Sequence, residues 1–303
     1  MHDPVIFVKG VTKIYPNGVV ANKDVAIEVN AGEITCVVGP NGAGKTTLIR
    51  QIIGLLRPTK GEIKVLGVDP FMSQSIIKRE VGYVPQLPVM FPAHKPIEVL
   101  EYVASLARTR IDDVVNILER LGLNDVKDLL GYQLSLGLRK LVLMSIALIK
   151  NPRIMILDEP TSFMDIIRKK AVWDLISEFK CNNKAVLLVS HDLEEVRRLC
   201  ERFYLMMNGQ VVFHARSLPS LSEAELRIYP RNMDDSDLIK IMIRNGVIKH
   251  DSDTLIVNYD SLIKAAEDLE YIASNGVNEI KLILEYPSFE SFMEAVFKKV
   301  NSR

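Results

Sequence analysis

An α/β fold built on a parallel sheet, followed by a smaller α+β domain, is what this sequence predicts, and three features predict it. A glycine-rich loop stands between an apolar strand and a helix over residues 33–56. Two continuous apolar runs, 153–157 and 185–189, flank a helical pattern at about 166–180. Such runs belong to strands buried on both faces of a parallel sheet, and the helix between them completes a βαβ unit. Beyond a stretch at 215–224 where Ser217, Pro219, Ser220 and Ser222 cluster, a second pattern begins, in the order βαββαβ.

In chain order, Val5 to Lys9 and Val25 to Val29 read as short strands, with turn chemistry at Pro16-Asn17-Gly18 between them. Glu33 to Val38 is a strand that runs into the glycine-rich loop, and helical pattern follows from Lys45 to about Leu56. Helix fills much of 97–150, punctuated by Gly122 and Gly131. Phe203 to Met207, Asn208-Gly209 and Gln210 to His214 make a hairpin on a two-residue turn. Past the boundary, strands are expected at 225–229, 246–249, 253–258 and 279–285, and helices at 234–245, 261–274 and 288–300. The expected domains are therefore 1–215 and 216–303, the second resembling a ferredoxin-like unit.

Composition narrows the function classes. The 303 residues suit about two domains, and 48% hydrophobic with 25% charged residues excludes disorder and collagen-like fibres. Lys plus Arg and Asp plus Glu each number 38, so the basic surplus of a nucleic-acid binder is missing. Cys36, Cys181 and Cys200 form no Cys-x-x-Cys pair and read as separate, small buried hydrophobes in a reducing compartment. The best apolar run, Leu141 to Ile149, is far short of the ~20 residues of a spanning helix. Met1-His2-Asp3-Pro4 has no basic n-region of a signal peptide, so a cytoplasmic chain is expected. The mean hydropathy of +0.12 leaves room for a large core or an apolar docking surface.

The chemistry starts at Gly39-Pro40-Asn41-Gly42-Ala43-Gly44-Lys45-Thr46, a match to G-x-x-x-x-G-K-[ST] in its strand–loop–helix setting. Backbone N–H groups of such a loop converge on phosphate oxygens because no Cβ blocks the approach. The helix beginning near Lys45 adds the positive end of its dipole. Lys45 is placed to reach the β- and γ-phosphates, and Thr46, followed by Thr47, to offer a hydroxyl to Mg²⁺. A second pattern, Ile154-Met155-Ile156-Leu157-Asp158-Glu159, delivers two carboxylates at the C-terminal end of an apolar strand, where open α/β sheets bind ligands. Asp158 suits the metal, and Glu159 suits a general base acting on water. Alone, the pair would equally fit a solvated turn; the phosphate loop upstream favours the catalytic reading.

Between these patterns lies Leu134-Ser135-Leu136-Gly137-Leu138-Arg139-Lys140, which resembles the LSGGQ signature of ATP-binding-cassette (ABC) ATPases. Other landmarks of that family stand in order. Tyr15 resembles the aromatic that stacks on adenine. Gln86, after Gly82-Tyr83-Val84-Pro85, resembles the Q-loop glutamine that reaches metal or water. Ser162-Phe163-Met164-Asp165 resembles the D-loop, and His191 resembles the switch histidine at the γ-phosphate. The likeness covers roughly residues 4–215 and departs from the family at Leu136 and Leu138, which replace Gly and Gln, and at Phe163-Met164, which replaces the commoner Gly-Leu. His2, His94, His214 and His250 have no such context.

The resemblance implies a P-loop NTPase core with an antiparallel β subdomain and a helical subdomain at about 87–150. It implies ATP and Mg²⁺ as ligands, with Ser135 and Gly137 facing the γ-phosphate held by a second subunit in a homodimer or heterodimer. It further implies separate integral membrane permease subunits, a cytoplasmic place on the inner face of the cell membrane, and no nucleic-acid partner. Tyr286-Pro287-Ser288-Phe289-Glu290-Ser291-Phe292-Met293 resembles a C-terminal motif of the ABC-2 export type, which serves drugs, lipids, polysaccharides or sodium. Two other readings keep the same cassette: an ATPase acting on nucleic acid or the ribosome, and a regulatory cassette with weak turnover.

Overall fold

Three sheets organise the chain in this computed structural model, which describes residues 3–216, 224–229, 243–251, 254–259, 281–285 and the helical positions 264, 267, 268 and 271. The chain divides into two compact units, Met1–Ser217 and Leu218–Arg303.

In the first unit, β1 (Ile6–Ile14) and β2 (Val20–Val29) extend well beyond the expected strands and pair antiparallel around the Pro16-Asn17-Gly18 turn. The strand β3 (Ile34–Val38) is buried at all five positions. Helix α1 (Lys45–Ile52) stops four residues earlier than its pattern suggests. Gly54, at φ 72, turns the chain there, and a Cβ on it would meet the Pro70 carbonyl oxygen at 2.2 Å. Next come β4 (Lys60–Val65), α2 (Gln74–Glu80) and β5 (Val81–Val84). The pattern does not foresee β4 and α2: β4 exposes four of its six residues, and α2 buries only Ile77. The strand order β2-β1-β4 makes an antiparallel sheet.

The expected helical stretch resolves into α3 (Pro96–Ala107), α4 (Ile111–Arg120) and α5 (Leu136–Ile149). Arg108 and Gly122, both in the left-handed region, end the first two. Strand β6 (Ile154–Asp158), helix α6 (Ile166–Cys181) and strand β7 (Ala185–Val189) form the βαβ unit, with both strands fully buried. Helix α7 (Leu193–Leu199) and the hairpin β8 (Arg202–Met207) and β9 (Gln210–Ala215) complete the unit. The central sheet runs β5-β6-β7-β3-β8-β9, parallel except for β9. Its apolar side chains, including Val37, Ile156, Leu187 and Val189, share one core with β1, β2 and α1.

This topology fixes the site. Strand β7 lies between β6 and β3, and Val189 stands opposite both Asp158 and Val37. The loops leaving β3, β6 and β7 therefore open at one edge of the sheet, side by side.

Cys36 and Cys200 are not separate thiols but a disulfide, with Cα atoms 5.9 Å apart, whereas Cys181 is free and exposed. The cause is the β3–β8 pairing, which sets Cys36 opposite Phe203 and so brings the residue leading into β8 alongside it.

In the second unit, β10 (Ala224–Tyr229), β11 (Val247–Asp251), β12 (Thr254–Tyr259) and β13 (Lys281–Glu285) form an antiparallel sheet in the order β11-β12-β10-β13. The first and third strands sit in the middle, as a βαββαβ chain of the ferredoxin-like kind requires. Residues 243–245, expected to end the helix at 234–245, are not helical; the rest of that stretch, the helix expected at 288–300, the serine-rich boundary at 217–223 and the motif from Tyr286 lie outside the described residues.

Candidate functional site

The loop after β3 is shaped by its glycines. Gly42 and Gly44 have φ 81 and 95, a region that side chains disfavour. A Cβ on Gly44 would meet the Ala21 carbonyl oxygen at 2.2 Å, while one on Gly42 would meet nothing within 4 Å. The loop is thus pressed onto β2 on one side and open on the other, a concavity that fits a phosphate. Lys45 Nζ arches over it, donating to the carbonyls of Gly39 at 2.6 Å and Pro40 at 2.9 Å. Burial pushes the Lys45 ammonium below its ordinary pKa, against the pull of the Glu159 and Asp158 carboxylates.

Thr46 Oγ1 donates to Asp158 Oδ2 at 3.1 Å, joining the start of α1 to the end of β6. Asp158 is 1% exposed. Its burial raises the carboxyl pKa despite the hydrogen bond from Thr46 and the nearby charges of Lys140 and Lys45. A hydroxyl beside one carboxylate fits Mg²⁺, which takes one or two protein oxygens and completes its shell with water and phosphate. Among the described residues no group of three or more His, Cys, Asp and Glu side chains could cage a metal without such help.

Glu159 is nearly buried and sits at φ 55. Its N–H donates to the Val189 carbonyl at 2.8 Å, which ties the end of β6 to β7. His191, just past β7 and largely exposed, has Nδ1 2.6 Å from Glu159 Oε2. The two stand in a cleft of about 390 Å³ together with Gln86, Ser162 and Phe163. Behind it, the buried Glu195 accepts from Thr161 Oγ1 at 2.8 Å and from Trp173 Nε1 at 3.1 Å, anchoring the segment after Glu159.

Tyr15 closes the other end of the phosphate loop, its hydroxyl 3.3 Å from Thr47 Oγ1. The structure therefore brings Tyr15, residues 39–47, Asp158, Glu159 and His191 into one region, with Gln86 at the cleft. Ser135 and Gly137 turn elsewhere. Ser135 Oγ caps α5 by accepting from Leu138 N–H, and Gly137 is buried, where a Cβ would meet the Phe163 carbonyl oxygen at 2.6 Å. Gly137 thus stands against the segment after Glu159, and Ser135 is engaged at the start of its own helix.

Three supporting residues escape sequence reasoning. Asn22, fully buried in β2, donates to the Gly44 carbonyl at 3.1 Å and accepts from Gln51 Nε2 at 2.7 Å, pinning the loop end. Lys140 is the third, and its ammonium is fully buried beneath the cleft. An Asn in a strand and a Lys in a helix carry no local signal; only the tertiary pairing reveals them.

Comparison with known proteins places these features in context. The sequence profile described as ABC transporter matches residues 22–162. The chain is 33% identical over 215 residues to the Nod factor export ATP-binding protein I of Rhizobium meliloti, a match covering 70% of this chain and 64% of that protein. It is 32% identical over 219 residues to the ABC transporter ATP-binding protein NatA of Bacillus subtilis, covering 68% of this chain and 85% of NatA. Against the phospholipid-transporting ATPase ABCA3 of Rattus norvegicus, also 33% identical, the chain spans 11% of the relative's length. A dimeric ATP-binding cassette in a post-hydrolysis state, bound to ADP and phosphate, superposes with a TM-score of 0.64 at 25% identity, over 70% of this chain and 98% of that one.

Proposed function

The chain belongs to the ABC transporter family, and from that premise we propose that it is the ATP-binding and ATP-hydrolysing subunit of an exporter. One observation carries this reading: Thr46–Asp158 and Glu159–His191 converge on the phosphate loop at a single sheet edge. The glycine loop binds the triphosphate through its N–H groups, and Lys45 leaves its two carbonyls to neutralise the terminal phosphates. Thr46 and Asp158, with Gln86, would hold Mg²⁺, which would supply charge neutralisation. Glu159 orients a water and takes its proton. His191 steadies Glu159 through Nδ1 and reaches toward the γ-phosphate from its exposed side. Tyr15 stacks on the adenine.

Two copies, or this chain and a sister subunit, close around two nucleotides, Ser135 and Gly137 of each serving the other's γ-phosphate. Hydrolysis removes the shared charge and opens the pair. Among the described residues no helix is long and apolar enough to cross a membrane. In this reading motion passes to separate membrane subunits, and the chain lies on the cytoplasmic face. Leu87, Val89 and Phe91, each at least 66% exposed between Gln86 and α3, offer the apolar docking surface. The export direction draws on the Nod factor relative's printed role. Leu136 in the signature is 42% exposed where the family has Gly, which favours slow turnover and keeps a regulatory cassette as the second reading.

The purified chain with Mg²⁺ and ATP should release phosphate, and Glu159→Gln should lower kcat by about 100-fold or more while still binding nucleotide. Wild-type protein that binds ATP without turnover, alone and with membrane partners, would support the regulatory reading instead.

A further inference from the structure

Lys140 stands in the second turn of α5, where an ammonium is doubly disfavoured. The positive end of the helix dipole repels it, and full burial strips it of water. An apolar side chain of similar length would avoid both costs. The compensation is specific. Nζ donates to the Gln86 carbonyl at 3.0 Å, to Ser162 Oγ at 2.6 Å and, in a very short contact, to the Glu159 carbonyl. Ser162 Oγ in turn donates to that same Glu159 carbonyl at 2.9 Å. All three ammonium protons are thus used, and each acceptor lies on a different functional segment: the one leaving β5, the one ending β6, and the turn that follows Glu159.

The anchor matters as much as the acceptors. Helix α5 packs on α3, α4 and β5, and Lys140 reaches from it to the backbone at the two-carboxylate strand end. The Glu159 backbone it grips is the one at φ 55, a conformation that needs support from its surroundings.

We propose that Lys140 is a positioning residue for hydrolysis: it binds the segments bearing Gln86, Glu159 and Ser162 to α5, so that they keep one register and move with that helix. The inference rests on the ATPase reading above. Nucleotide affinity is set mainly by the phosphate loop after β3 and depends little on Lys140.

The test uses the full chain with Lys140→Met, Lys140→Gln and Ser162→Ala, reading kcat and KM for Mg-ATP, and backbone hydrogen–deuterium exchange over 82–90 and 159–165. Lys140→Met should lower kcat by about 100-fold with KM within about 3-fold of wild type. Lys140→Gln, which restores two donors, should recover about 10-fold of that loss. Both segments should exchange faster together in Lys140→Met, while the interior of α5 stays protected. Should Lys140→Met fail to fold, Ser162→Ala decides, with kcat down about 3- to 10-fold at unchanged KM and faster exchange in both segments. A variant kcat within twofold of wild type, a parallel loss of nucleotide affinity, or unchanged exchange in the two segments would overturn the proposal. If the wild type hydrolyses no ATP, the ATPase reading fails, and the exchange measurement alone still decides whether Lys140 couples the segments.

Discussion

Glu159 carries two burdens at once: a left-handed backbone at φ 55 and a buried carboxylate next to Asp158. Backbone strain of this kind costs of order 1–3 kcal/mol and collects at functional sites. Neutralising the side chain relieves the like-charge neighbour without touching the backbone. Glu159→Gln should therefore lose turnover but keep or slightly raise the thermal unfolding midpoint, a trade of stability against activity that calorimetry would reveal. Gly137 is a different case. Its role within the chain is space, since a Cβ would stand 2.6 Å from the Phe163 carbonyl oxygen. Gly137→Ala should destabilise the unit by about 1–3 kcal/mol in a denaturant titration, because backbone rather than a flexible side chain must give way.

At the scale of elements, three helices near the site begin on side-chain caps. Ser135 caps α5, Asp165 caps α6 and Asp192 caps α7. The same residues sit in the segments that resemble the signature and the D-loop and in the segment after His191, so local helix chemistry and the proposed site geometry share one set of positions. Asp165→Ala removes the acceptor for Arg168 N–H and should cost about 1 kcal/mol of stability by chemical denaturation. This is also why much of the site was legible in the sequence. Phosphate loop, Asp158-Glu159 and His191 each stand at or just past the end of a short, mostly apolar strand, a signal that survives without tertiary information. What escaped depends on distant pairing. Lys140 meets Gln86 across 54 residues, Asn22 meets Gln51 across 29, and Cys36 meets Cys200 across 164. Strand β4 escaped for another reason: its Lys60-Gly61-Glu62 start is exposed and gives no apolar run.

Over the whole sequence, opposite charges balance, and a partly buried pair fastens the central sheet. Arg202 Nε lies 2.5 Å from Glu33 Oε1 at the base of β3 and β8. Burial alone would raise the Glu33 carboxyl, but hydrogen bonds from Arg202, Asn30 and Thr35 and the Arg202 charge outweigh it and leave the pKa below the ordinary 4.5. A carboxyl lowered in the folded state contributes stability above its unfolded pKa and loses it as pH falls through the folded value. Glu33→Gln should thus destabilise the protein by about 1 kcal/mol at pH 7, and the difference should vanish under more acidic conditions, below the ordinary carboxyl range.

The same scale holds the central claim, that paired chains trap ATP between the phosphate loop of one and the Ser135–Gly137 segment of the other. Within one chain Gly137 stands against the Phe163 carbonyl oxygen, and in the proposed pairing a second cassette completes the site. Sedimentation velocity of Glu159→Gln, with and without Mg-ATP, tests this most directly. A monomer that becomes a dimer on adding Mg-ATP, and fails to do so once Ser135 is replaced by a bulky residue, is the predicted result; a monomer at every ATP concentration would contradict it.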